Sequence, residues 1–237
     1  KKLNYKNSSL IFSLSRSQAT CKYIKIPAAN IEEIEKIINL NSTRYLPYPA
    51  AELITAFEVI SADSAGYSYV NQVIVHNDAI NRYLKILKAV KIKKIKVVLS
   101  SYGLSNLYSY LGQDAFEPVM LIDTERNQSE LTIICNNKLY FSRAVKLSGD
   151  RISQKKIVTE EIAKTINNFV KETELSAPSK VVNIGDLEYS EKLNISAGLR
   201  EKIENADVSF AGLIGLGLKE LSPSLILLPA EEKNKLT

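Results

Sequence analysis

Apolar positions along the first half of the chain switch between a period of two and a period near four. Residues 9–15 and 20–26 read as two strands joined by "RSQA", and Pro27 closes the second. Asn30 opens a helix with Glu33 at the capping-box spacing, and Ile31, Ile34, Ile37, Ile38 and Leu40 form its apolar stripe. The two prolines of "YLPYPAAE" end that pattern, because each forces extended backbone before it. Residues 51–60 and 69–76 form a second strand pair around "SADSAGYS". Asn77 or Asp78 then caps a helix whose apolar face is Ile80, Tyr83, Leu84 and Leu87. A strand over 92–99 and a short helix over 102–111 complete this half, which predicts helices packed on a mixed sheet.

The second half opens on "VMLIDTERNQSELTIICNNKLYFSRAVKLSGD", residues 119–150. It reads as a strand ending on Asp123, a turn, and two returning strands; Asn136-Asn137 between them suits a tight type I′ turn. A long helix is expected from Gln154 to about Glu172, with Ile157, Ile162, Ile166, Phe169 and Val170 inward. A strand over 180–184 ends at Gly185, and a helix near 193–205 follows. The glycines of "GLIGLGL" miss the dinucleotide-binding spacing and follow no strand, so they predict a helix packed closely on a neighbour. The fold class is therefore α/β (α+β), with no repeat of the length that marks a solenoid.

Composition narrows the function little. The 237 residues suffice for one large or two small domains. The formal charge of +5, from 31 basic and 26 acidic residues, points to no nucleic-acid partner. Cys21 and Cys135 stand alone, which suits a reducing compartment, and a single histidine, His76, excludes a histidine-rich metal site. The start of the chain carries too short an apolar run for a signal peptide, and the stretch 210–218 is too short to cross a membrane; the chain as given reads as a soluble piece.

One turn carries candidate chemistry. A phosphate-binding hairpin presents backbone N–H groups to an anion and is lined by glycine, with an acid nearby to hold Mg²⁺. Asp123 supplies the acid, and Thr124 or Ser129 supplies a hydroxyl, but Glu125 puts a carboxylate where phosphate oxygens would lie. Lysines 88, 91, 93, 94 and 96 span a helix end and a strand start, and read as a solvated face. His76 lacks triad partners and reads as structural. No catalytic constellation and no metal site are found.

In order and pattern the chain resembles the type IV pilus assembly protein PilM and its type II secretion relative GspL, which are kin to actin and to the division protein FtsA. The resemblance rests on "LID" followed by "LYFSRAVKLSGD", on "YIKIPAANIEEIEKIINLNSTRYLPYPAAELITAFEVI", on "HNDAINRYLKILKAVKIKKIKVVLSSYGLSNLY" and on "FAGLIGLGL". It implies an actin-like (ASKHA, ribonuclease H-like) fold lacking its first N-terminal strands, with an inserted βαβ-type subdomain. Residues 1–105 would hold that subdomain and part of the first lobe, 106–222 the second lobe, and 223–237 a membrane-proximal or docking tail. The family's first phosphate turn would lie before residue 1. The second lacks its glycine at Asp123-Thr124-Glu125, and the adenosine motif is reduced to "VVNIGDLEYSEKLN". The expectation is a degenerate site with no bound ATP or Mg²⁺ and no enzyme activity.

By the same resemblance the chain is expected to be a cytoplasmic scaffold at the inner-membrane face, linking membrane partners to an assembly motor. PilN-like or GspM-like membrane proteins and an assembly ATPase are the partners it implies, with a homodimer as a further one. Membrane association would be indirect or through a segment following residue 237. PilN begins with a cytoplasmic "NLLP" peptide that docks on PilM; "LILLPAEEKNKLT" resembles it, which marks Leu225, Ile226, Leu227, Leu228 and Pro229 as partner-binding. An active actin-like ATPase or kinase and an FtsA-like filament former are the alternatives.

Overall fold

In the computed structural model, which describes residues 9–89, 92, 94–113 and 115–233, the elements follow the apolar periods closely. Strands β1 (Ser9–Leu14) and β2 (Thr20–Ile26) lead to helix α1 (Ile31–Asn41). Strands β3 (Leu53–Ala62) and β4 (Ser68–His76) lead to α2 (Asn77–Ala89), and β5 (Lys94–Leu99) runs into α3 (Ser100–Tyr110). Then come β6 (Val119–Thr124), β7 (Gln128–Cys135), β8 (Lys138–Lys146), α4 (Arg151–Thr173) and β9 (Lys180–Asn183). Four short helices close the chain: α5 (Tyr189–Lys192), α6 (Ala197–Glu204), α7 (Ala211–Leu218) and α8 (Ala230–Lys233). These elements divide into two compact units. One ends at Leu99 and resumes at Leu221; the other is Ser100–Glu220. Lys91, Lys93, the first eight residues and the last four lie outside the described residues.

In the first unit the two opening strands are not partners of each other. β1 pairs in parallel with β5, while β2 pairs antiparallel with β4 in the order β2-β4-β3. Local alternation shows that a segment is a strand; its partner is set by burial against residues far along the chain. Ile34 and Ile38 of α1 pack with Ile26, Ala28, Phe57 and Val70 on one face of the three-stranded sheet. Asn30 caps α1, its side chain accepting from Glu32 N at 2.8 Å. The expected stripe is too wide, for Ile31 and Leu40 are 54% and 79% exposed. His76 precedes α2, its Nδ1 accepting from Asp78 N at 3.3 Å and its Nε2 lying 3.2 Å from Glu52. Those bonds give it a structural role.

The tail from Leu221 belongs to this unit. After a short turn at Pro223–Leu225, residues 226–229 run extended, and Leu227 N donates to Val97 O of β5 at 2.8 Å. Glu232 of α8 meets Lys88 of α2 at 2.7 Å, and Lys233 reaches Thr55 O of β3 at 3.5 Å. Burial lowers the Lys233 pKa, and the Glu35 charge raises it in part.

In the second unit β6, β7 and β8 form three consecutive antiparallel strands, and β9 pairs in parallel with β6, giving the order β8-β7-β6-β9. Asn136 and Asn137 both take positive φ, 49° and 56°, as the tight turn demands. Helix α4 starts at Arg151, a turn before the expected Gln154, because Asp150 caps it by accepting from Ser153 N at 2.8 Å. Phe169 is buried as expected, whereas Val170 is 37% exposed and Thr165 takes an inward place. Asn194, with φ 52°, lies in the turn between α5 and α6, so the helix expected over 193–205 begins only at Ala197, as α6. Helices α3 and α7 touch backbone to backbone: a Cβ on Gly103 would overlap the Gly212 carbonyl, and one on Gly215 the Gly103 carbonyl.

Candidate functional site

A cavity of about 1070 Å³ opens in the second unit where β6, β9 and the N-terminus of α4 end. Asp123, Thr124, Glu125 and Arg126 form one wall, Gly149 to Arg151 another, and Asn183 to Gly185 with Tyr189 a third; Ala206 to Ser209 close it. Carboxylates dominate its lining: Asp123, Glu125, Asp150, Glu188, Glu191, Glu204 and Asp207 stand against Arg126, Arg151 and Arg200. Two of those arginines are already paired, Arg126 with Asp207 at 2.8 Å and Arg200 with Glu191 at 3.1 Å.

The turn after β6 is closed from within. Glu125 N donates to Gln128 O at 2.8 Å, and Arg126 N donates to Asp207 O at 3.3 Å. Glu125 turns its carboxylate onto the same loop, accepting from Ser209 N at 3.3 Å and from Gln128 Nε2 at 2.8 Å. Gln154 donates to the carbonyls of Arg126 and Gly149, both at 3.3 Å. Amides of the kind an anion would use are thus spent on the protein's own oxygens. Of the expected site residues, the structure brings Asp123, Thr124 and Glu125 to the cavity. Ser129 is fully buried beneath it, its hydroxyl 2.9 Å from that of Thr124. The loop 206–209 is the part that sequence reasoning missed, since nothing near Asp207 marks a partner for a turn about eighty residues earlier.

Burial pushes Asp123 up to about 7; Ser209 offsets part of the rise by hydrogen bonding, and the charges of Glu130 and Glu125 add to it. Glu130, opposite Asp123 across the strand pair, lies at the start of α3, accepting from Ser100 Oγ at 2.6 Å and from Ser101 Oγ. With a folded pKa above the unfolded 3.8, the folded unit holds the Asp123 proton longer, so stability falls as pH rises from about 4 to about 7. The whole shift would amount to at most ~4 kcal/mol. Asp123→Asn is expected to flatten that part of the profile and raise the melting temperature most near neutral pH. Thermal melts across this window check it, and an unchanged slope refutes it.

The model of the family described as "Type IV pilus assembly protein PilM" matches residues 1–175. The chain belongs to this family. Among solved structures, the PilM–PilN type IV pilus biogenesis complex aligns with a TM-score of 0.62 at 15% identity, covering 89% of this chain and 80% of that one. The cytoplasmic domain of EpsL, an inner-membrane component of the Vibrio cholerae type II secretion system, aligns at 0.50 and 13% identity, covering 76% and 63%. A Bacteroides thetaiotaomicron protein with an actin-like ATPase fold aligns at 0.47 and 11%, covering 90% and 74%. No curated protein matches by sequence. The fold is actin-like, as the PilM resemblance implied. Among the described residues no helix is long and apolar enough to cross a membrane.

The residues expected to bind a partner lie elsewhere, in the first unit. Leu225, Ile226, Leu227 and Leu228 are all buried there, Leu227 completely, while Pro229 is half-buried.

Proposed function

We propose that this PilM-family chain is a scaffold of an inner-membrane assembly platform, for a type IV pilus or type II secretion, and turns over no nucleotide itself. It would work at the cytoplasmic face of the inner membrane, linking PilN-like or GspM-like membrane proteins to an assembly ATPase through protein contacts. The observation that carries the reading is the self-closed turn. A polyphosphate entering there would have to displace Asp207 from Arg126 N and Ser209 from Glu125. It would then meet the Glu125 carboxylate in a cavity already rich in acids. The residues present do not fit Mg-ATP. An unscreened like-charge contact at reduced dielectric costs several kcal/mol, on the order of the whole affinity of a modest ligand. The tail supports the partner half of the reading: an extended apolar segment ending in proline is seated on the first unit by a main-chain hydrogen bond and buried side chains.

Calorimetry with Mg-ATP should give no saturable heat up to millimolar nucleotide, and the chain's association with a PilN-like cytoplasmic peptide should not change when Mg-ATP is added. Micromolar binding, or partner binding that requires ATP, sinks the scaffold reading in favour of an active ATPase. Glu125→Gly is the companion variant; it should regain measurable nucleotide affinity only if the turn's carboxylate is the main obstacle.

A further inference from the structure

We infer that the second unit carries a ligand site between α6 and α7, and that its ligand is a medium-chain fatty acid with its carboxylate at Lys202. The inference stands apart from the pilus or secretion reading. A cavity of about 370 Å³ is lined by Ile195, Leu199, Lys202 and Ile203 on one side and by Phe210 and Ile214 on the other. It is separate from the acid-rich cavity, and Ile203 alone is common to the two linings. Leu199 and Ile203 stand one turn apart on α6. Phe210, the cap of α7, and Ile214 stand one turn apart as well, so two apolar pairs face each other across the space. They do not close on one another: α6 buries none of its eight residues fully, and Leu199 is 52% exposed. Ile214 also packs against the core of the unit, so a ligand filling the space would brace α6 on that core.

Size and charge choose the occupant. One turn of helix, about 10 Å across and 5.4 Å long, fills roughly 420 Å³, more than the whole cavity, so no third helix enters. At about the 30 Å³ that a water takes in the liquid, the space admits on the order of a dozen methylene-sized groups, the bulk of a chain of about ten carbons. Each methylene that leaves water for these side chains favours binding. Lys202 is the one charge in the lining, and among the described residues no acid pairs with it. A carboxylate at the end of the chain supplies that missing partner.

Calorimetry of the full chain with decanoate, kept below its micelle-forming concentration, should show one saturable site per chain. The bound acid should also raise the melting temperature of the second unit. Decanol, with the same chain and no charge, should bind roughly two- to five-fold more weakly, the range of an exposed ion pair. Lys202→Met should erase that difference and leave decanol binding unchanged. Leu199→Asp, which sets a carboxylate in the apolar wall, should weaken both ligands by about tenfold or more. Should Leu199→Asp melt early without ligand, Leu199→Trp fills the cavity instead and should exclude both. No saturable heat with decanoate overturns the proposal, as does equal affinity for decanoate and decanol in the parent. So does a difference that survives Lys202→Met, or binding that neither Leu199 variant reduces. Self-association of the parent that Leu199→Asp abolishes would make a second copy the occupant. Vesicle co-sedimentation that it abolishes would make it a membrane lipid, and either result overturns the free acid.

Discussion

Gly103→Ala should lower the stability of the second unit by about 3 kcal/mol or more, the high end of what overpacking costs. The added methyl would fall within the Gly212 carbonyl, a backbone atom that cannot rotate away, so α3 and α7 would have to separate along their whole contact. The loss spreads, because α3 carries Leu104, Leu107 and Tyr108 into the core that also holds Val119, Leu121 and Val182 of the sheet. Gly215→Ala should behave alike, its methyl meeting the Gly103 carbonyl. Gly217→Ala is the control, for nothing lies within 4 Å of its added methyl. There a helical glycine becomes alanine, and the expected change is neutral to stabilising by up to about 1 kcal/mol. Chemical denaturation of the three variants measures the contrast. Equal midpoints for Gly103→Ala and Gly217→Ala would show that the helix pair can breathe apart at little cost, against the close contact described above.

That helix contact was legible in the sequence. "GLIGLGL" offers one face with almost no side chain, and a helix so built has stability only against another backbone; Gly103 on α3 answers it. The meander was legible for the same kind of reason, since two asparagines with positive φ leave one simple way to join β7 to β8. Partners separated along the chain were hidden. β1 looks like half of a hairpin with β2, yet its parallel neighbour β5 begins about eighty residues later. The stripe of α1 overcounts because Ile31 and Leu40 satisfy the period without facing the sheet. At the site, the turn showed its missing glycine and its added carboxylate plainly. It did not show that Asp207 and Ser209 would occupy the amide and the carboxylate in turn. Local chemistry is written locally; a closed turn needs its distant latch to be seen.

Leu227→Asp together with Leu228→Asp should release the tail from the first unit, with the largest effect of any change considered. Leu227 is fully buried and Leu228 is 3% exposed, so both carboxylates would enter an apolar space. Removing two buried leucines forfeits roughly 3 to 6 kcal/mol of apolar burial, and burying an unpaired charge adds a penalty that exceeds what a short segment can bear. The segment's remaining ties are one main-chain bond to Val97 O, the Lys88–Glu232 pair and a long contact from Lys233 to Thr55 O. A half-exposed ion pair contributes about 1 kcal/mol or less. These cannot hold the tail, and limited proteolysis should cut after Leu221 far faster than in the parent chain. The first unit would also lose the cover over β3 and β5, so its melting temperature should fall while that of the second unit holds. Leu199→Asp, at an apolar position 52% exposed in the other unit, supplies the comparison: a charge there should change neither readout. If the double variant is cleaved no faster than the parent, Leu227 and Leu228 contribute nothing to seating the tail. The hold must then come from Leu225, Ile226 and the polar end, where Glu232 meets Lys88 and Lys233 reaches Thr55 O.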